Sequence, residues 1–201
     1  REIRMKFPKG FLFGSATSAH QIEGGLNNDW ARWEKRPGKV SDGSSSQVSA
    51  DSWNQWREDI KLLKESGQNA YRFSIEWSRI EPREGFFEKK AIEHYRQLIG
   101  ELIKNNIVPM VTLFHFTCPL WVDNMGGVTS GKFAKYFARF AGRMAKEFGD
   151  SVELWSVLNE PTVYINTGYL VGNWYPGKKK AYAAGIKAFF NLISAHNQAC
   201  V

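Results

Sequence analysis

In a chain of 201 residues, the segment Leu158-Asn159-Glu160-Pro161 is the sharpest candidate for acid–base chemistry. A carboxylate directly after an apolar run, preceded by an amide and followed by proline, sits in a concave, partly desolvated place. Burial there favours the protonated form and suits the group to general-acid work. The same residues would also serve as a helix N-cap or a surface acid, and Asn159 could donate to a ligand hydroxyl or simply tie down its loop. His115 closes the apolar run Ile107 to Phe114. It reads as a core histidine satisfied by backbone, a partner for a ligand hydroxyl, or a metal ligand, and no second His or Cys at ligand spacing supports the metal. Arg72 lies inside the run Ala70 to Ile75, where an unpaired cation is costly. It demands a partner, plausibly a carboxylate, either structural or in the site. Gln21 and Glu23 alternate on a short segment taken as extended, so only one faces the site. Gln21 carries both a donor and an acceptor for a pair of neighbouring hydroxyls. Trp121 could stack on a ligand ring or pack the top of the fold.

These residues need elements to hold them, and the apolar pattern supplies four strand–helix units. Strand candidates are Phe11-Leu12-Phe13-Gly14, Ala70 to Ile75, Ile107 to Phe114 and Glu153 to Leu158. The third is nearly continuous in apolar residues, as strands buried on both faces are, with Pro109 near its start where a missing donor is tolerable. The first helix carries Trp53, Trp56, Ile60 and Leu63 on one stripe, with Asp51 or Ser52 as N-cap and Gly67 as a stop. The second carries Ile92, Tyr95, Leu98, Leu102 and Ile103; the third, capped by Ser130 and stopped at Gly149, buries Phe133, Phe137, Phe140, Met144 and Phe148. The fourth runs from about Lys178 with Tyr182, Ile186, Phe189, Phe190 and Ile193. Repeated units of this kind predict a parallel sheet with helices outside it. The sheet is either a small open one or half of a closed eight-stranded barrel, which has twice as many units and carries its chemistry at the carboxyl ends of the strands. Gly24-Gly25 and Gly126-Gly127 fit no phosphate-binding loop, which favours the half-barrel.

Composition narrows the function classes. The chain is 43% hydrophobic with a net charge of +7, a globular balance, and its length suits a single domain. The cations are interleaved with acids, and Lys178-Lys179-Lys180, the one undiluted cluster, is too short to mark a nucleic-acid surface. No apolar run of about 18 residues suggests a membrane span, and the start lacks a secretory run, so a soluble cytoplasmic protein is expected. Cys118 and Cys200 form no metal or disulfide pattern and read as two buried thiols. With 8 Trp, several beside polar residues in loops, the chain has natural platforms for flat apolar ligand faces.

The stretch Phe11-Leu12-Phe13-Gly14-Ser15-Ala16-Thr17-Ser18-Ala19-His20-Gln21-Ile22-Glu23-Gly24 resembles the N-terminal signature of glycoside hydrolase family 1, the β-glucosidase and β-galactosidase family. Four further segments agree in order and spacing: Asn69 to Ile80, Thr112-Leu113-Phe114-His115-Phe116, Leu158-Asn159-Glu160-Pro161 and Tyr175-Pro176-Gly177. The resemblance implies an α/β (β/α)8 barrel of the TIM type that hydrolyses β-linked sugars with retention and without a cofactor. By that resemblance Glu160 is the acid/base, Gln21, His115 and Asn159 hold the sugar hydroxyls, Trp121 is a weaker sugar contact, and Arg72 pairs with the nucleophilic carboxylate. Ser52 stands where the family commonly has His, and Val128 follows Gly126-Gly127 where Trp is common. The family's nucleophile is a Glu at the end of strand seven, and the four units here correspond to the N-terminal half alone, so residues 1–201 are expected to form a single partial domain. Glu23, Glu76 and Glu81 match no catalytic family position. The expectation is a half-barrel that is inactive alone and that self-associates or pairs with a complementary C-terminal half. The competing expectation is a non-catalytic carbohydrate-binding or assembly fragment.

Overall fold

In the computed structural model, residues 6–200 are described. Strands β1 (Gly14–Ala16), β2 (Ala70–Ser74), β3 (Val108–Phe114) and β4 (Leu154–Leu158) form one sheet in the order β1-β2-β3-β4. All three pairings are parallel, with Ala16 opposite Arg72, Arg72 opposite Met110 and Thr112 opposite Ser156. Each strand is thus bonded to the next in sequence, and every carboxyl end points the same way. Between the strands lie helices α1 (Ala19–Ile22), α2 (Asp29–Glu34), α3 (Ser52–Glu65), α4 (Trp77–Ile80), α5 (Lys89–Lys104), α6 (Leu120–Asn124) and α7 (Phe133–Phe148); after β4 come α8 (Pro161–Ile165), a π-helical stretch Asn166–Val171 and α9 (Tyr182–Ala199). No described helix is long and apolar enough to cross a membrane.

The first strand forms three residues later than its apolar run suggests. Asn69 explains the shift: its side chain accepts from Phe13 N at 2.6 Å and donates to Phe11 O at 3.1 Å. The Phe13 N–H and the Phe11 carbonyl are therefore satisfied by an amide side chain, while the Phe13 carbonyl accepts from Ala70 N at 3.1 Å, where the ladder begins. Phe11, Leu12 and Phe13 stay partly exposed, with Phe7 packed on Phe11 and Phe13. Gly14 itself is required by close approach, since a Cβ there would collide with the Ala70 carbonyl.

The helices bury one stripe each, as their spacing dictates. α5 buries Ile92, Tyr95, Ile99 and Leu102, while Ile103, expected on that stripe, is turned outward. α7 buries all five expected residues, and Trp77 of α4 stacks on Phe140 with ring centroids 5.1 Å apart and meets Phe137 edge-on at 5.7 Å. Three further cap and stripe expectations are corrected. Ser130 closes a 3-10 turn at Gly127–Thr129, and α7 starts at Phe133 without a side-chain cap. Asp51 precedes α3 in a left-handed conformation with no capping bond, and the Ser52 hydroxyl donates to the Asp59 carboxylate two turns on. In α9 the small residues Gly185, Ala188 and Ala195 turn inward with Leu192, and at Gly185 a Cβ would stand 3.3 Å from Tyr169 Cβ and 3.4 Å from Ile165 Cγ2, which leaves little room for bulk; Tyr182, Ile186, Phe190 and Ile193 face outward at 62%, 59%, 63% and 40% exposure. Cys118 is buried but Cys200 is exposed, so only one of the two thiols is in the core.

Between α3 and α5, the His94 ring stacks on Trp53 at 3.7 Å, and the Arg79 guanidinium lies over the same indole at 3.8 Å. Burial first, then Arg79 and Arg57, push the His94 imidazole down to about 4. An unfolded histidine titrates near 6.5, so unfolding takes up a proton between those values. The stability present above pH 6.5 is consequently lost as pH falls towards 4. Thermal unfolding of His94→Phe, which keeps a ring in the stack, is expected to lose less of its midpoint than the wild type between about pH 7 and about pH 4.5; equal losses would remove His94 as the cause.

Candidate active site

Because the strands run parallel, the residues that follow them share one rim. Arg72 lies across the sheet face opposite the helices: Nε donates to Thr112 Oγ1 at 2.9 Å, and Nη2 to Ser156 Oγ at 3.3 Å and to Asn159 Oδ1 at 2.6 Å. The partner expected to be a carboxylate is therefore a set of three neutral oxygens from β3, β4 and the residue after β4. No carboxylate of the described residues pairs with Arg72. Charge on the guanidinium remains uncompensated at the rim, while its hydrogen bonds fix Asn159, which is buried and donates its backbone N–H to Phe114 O at 2.9 Å.

Glu160 follows directly, in a left-handed conformation (φ 43°) with Pro161 at the first position of α8. Proline at that position needs no N–H partner and starts the helix. Glu160 is exposed, so the concave, desolvated setting expected from sequence is not formed by the described residues. His115 follows β3, half-buried, with a buried Nδ1 that has no protein partner among the described residues. Burial and then Arg72 hold its imidazole down to about 4. Neutral at ordinary pH, His115 can accept a hydrogen bond through one nitrogen and donate through the other.

Gln21 belongs to a helical turn, α1, where an extended segment was expected. The alternation survives, since residues two apart on a helix also point to different sides. Gln21 is exposed on the rim and accepts from Ser18 Oγ at 2.8 Å; Glu23 is buried and accepts from Tyr95 Oη at 2.5 Å and Arg79 Nε at 2.7 Å. Burial pushes the Glu23 carboxyl up to about 7 against the pull of Arg79 and Tyr95. Glu76 and Glu81 are likewise committed, Glu76 to Ser78 Oγ and Thr117 Oγ1 at 2.7 and 3.0 Å, Glu81 to Trp77 Nε1 at 2.9 Å and to Arg139. All three acids are buried and hold the segments that follow the strands together.

Beside Gln21 and His115 an open pocket of about 230 Å³ is lined also by His20, Trp30, Phe116 and Trp174. Trp30 and Trp174 were not among the residues singled out by sequence, although both are tryptophans beside polar neighbours, the signal that marked platforms in general. Trp121 does not line this pocket. Its Nε1 donates to Glu81 O at 2.8 Å, and its ring meets Trp77 and Tyr136 edge-on, so it packs the top of the fold.

A family model for glycosyl hydrolase family 1 matches residues 3–201. The chain belongs to glycosyl hydrolase family 1. Among its family 1 relatives, β-glucosidase A of Thermotoga maritima is 38% identical over 201 residues, which is 96% of this chain and 45% of that protein. β-Glucosidase 16 of Arabidopsis thaliana is 42% identical over 186 residues, covering 87% of this chain and 36% of that one. The solved family 1 β-glucosidase of Thermotoga maritima superposes with a TM-score of 0.93 at 37% identity, over 96% of this chain and 45% of its own length; its complex with castanospermine gives the same score. The chain thus spans less than half the length of these relatives, and its four units are the N-terminal half of a TIM barrel.

Proposed function

We propose that this chain carries the acid/base half of a retaining β-glycosidase site of the β-glucosidase type. The supporting observation is the gathering of Gln21, His115, Asn159, Arg72 and Glu160 at one rim of a family 1 half-barrel, with the first three offering neutral donors and acceptors to sugar hydroxyls. In retaining hydrolysis one carboxylic acid protonates the glycosidic oxygen as the bond to the anomeric carbon breaks, while a carboxylate about 5 Å away forms the glycosyl intermediate. The first acid then deprotonates the water that releases the sugar. Glu160 takes the acid/base role. The second carboxylate comes from a complementary half, because Glu23, Glu76 and Glu81 are consumed in buried networks. Arg72, with no ion pair of its own among the described residues, is placed to keep that incoming carboxylate ionised.

The partner is a set of further βα units that extends the sheet at β1 and β4 and covers the outward stripe of α9. That stripe, spaced four, four and three residues apart, is a contiguous apolar surface of the kind that marks an interface. The purified chain alone is expected to turn over no aryl β-glucoside, and the mixture with a C-terminal family 1 half to do so. Turnover by the rigorously purified chain that Glu160→Gln abolishes would overturn the division of roles. Sugar binding without turnover in any mixture would favour the carbohydrate-binding reading.

A further inference from the structure

The rim pocket has two unlike walls. One is polar, made by Gln21 and His115, whose Nδ1 has no protein partner among the described residues. The other is aromatic: Trp174 meets Trp30 edge-on at 5.7 Å and Phe116 at 5.7 Å, and Trp30 is locked by an indole bond to Phe116 O at 3.1 Å. Trp174 is only partly buried, and it lines the open pocket. Its position is enforced from behind. The π-helical stretch ends just before it, Trp174 N donates to Thr167 O at 3.3 Å, and Gly177 N donates back to Trp174 O at 2.6 Å. Gly168 must lack a side chain, because a Cβ would stand 2.6 Å from the Tyr175 carbonyl oxygen. The Tyr175 hydroxyl is anchored on Asp123 across the loop.

The pocket's volume of about 230 Å³, below the roughly 300–1,000 Å³ of sites for drug-sized ligands, suits one ring-sized group. A pyranose is amphipathic in the same sense as this pocket, with hydroxyls around its edge and a C–H face that packs on the negative face of an aromatic ring. Tryptophan offers that face with little rotamer freedom to lose. We infer that Trp174 is a specificity-determining residue of this chain, the stacking wall for the C–H face of a single pyranose whose hydroxyls reach Gln21 and His115. This rests on the sugar-binding reading above and adds to it a contact from outside the motifs that carry the family resemblance.

The test uses the 201-residue chain and methyl β-D-glucopyranoside, followed by saturation-transfer NMR and by titration. Saturation is expected to concentrate on the axial protons of one ring face, either H1, H3 and H5 or H2 and H4. Trp174→Ala should weaken binding by at least about tenfold and Trp174→Phe, which keeps a ring, by no more than about threefold, with Gln21→Ala as an independent probe of the polar wall. Binding that falls in Gln21→Ala but is unchanged in Trp174→Ala overturns the stacking role and leaves the sugar site standing. Even saturation over both ring faces does the same, and needs no variant to fold. No binding by the wild-type chain overturns the stacking role and the sugar-binding reading together.

Discussion

Glu160→Gln is expected to lower the rate of a reconstituted barrel on phenyl β-D-glucoside by about 10²–10⁴-fold, the usual contribution of a positioned general acid. The barrel is this chain mixed with a C-terminal family 1 half. The loss should depend on the leaving group. A phenolate of high pKa needs its oxygen protonated as the bond breaks, whereas a dinitrophenolate leaves unaided, so the variant should be much less impaired in forming the glycosyl intermediate from the dinitrophenyl substrate. Release of that intermediate still needs a base to deprotonate water, so a burst of dinitrophenol followed by slow turnover should appear. An equal loss on both substrates without a burst would remove Glu160 from the acid role. Asn159 and Arg72 make the geometry sensitive to a neighbour as well, since the 2.6 Å bond between them fixes the residue before Glu160.

Phe140→Ala is expected to cost the fold about 3–5 kcal/mol, the range for deleting a buried aromatic ring. Phe140 has no exposed surface, stacks on Trp77 and touches Phe137, so nothing can move in cheaply to fill the space. Against a total stability of about 5–15 kcal/mol for an ordinary domain, that loss removes a large share of what holds the chain folded. The informative control is Phe190→Ala on the outward stripe of α9, where the side chain is 63% exposed. There the cost should stay within about 0.5 kcal/mol, as for other surface changes, while binding of a hydrophobic dye falls. Urea unfolding distinguishes the two, and similar midpoints for both variants would contradict the assignment of inner and outer faces.

Much of this was legible in the amino-acid sequence because the relevant forces are local and periodic. The β3 run and the five apolar positions of α7 repeat at the spacing of their elements, and the rim residues follow strands that announce themselves. Each failure has a non-local cause. β1 starts late because an amide 56 residues away captures the backbone of Phe13. α9 carries two stripes, and bulk alone points to the wrong one, since the inward face is set by what packs on it, Tyr169 and Ile165 against Gly185 among them. Arg72 finds Thr112, Ser156 and Asn159 because strand register brings them under one guanidinium, which no inspection of neighbours along the chain reveals. Trp174 reaches the pocket through a π-helical stretch and a loop closed against Gly168, features that periodicity does not encode.

The sheet order β1-β2-β3-β4 has a bearing on synthesis. Every strand pairs with its predecessor on the chain, so no strand waits for a segment made much later. A nascent chain that emerges N-terminal end first can therefore zip the sheet one unit at a time, each new βα pair docking on a finished edge. The last edge made, β4 with Asn159 and Glu160 at its tip, is then the growing point on which any further unit would be templated.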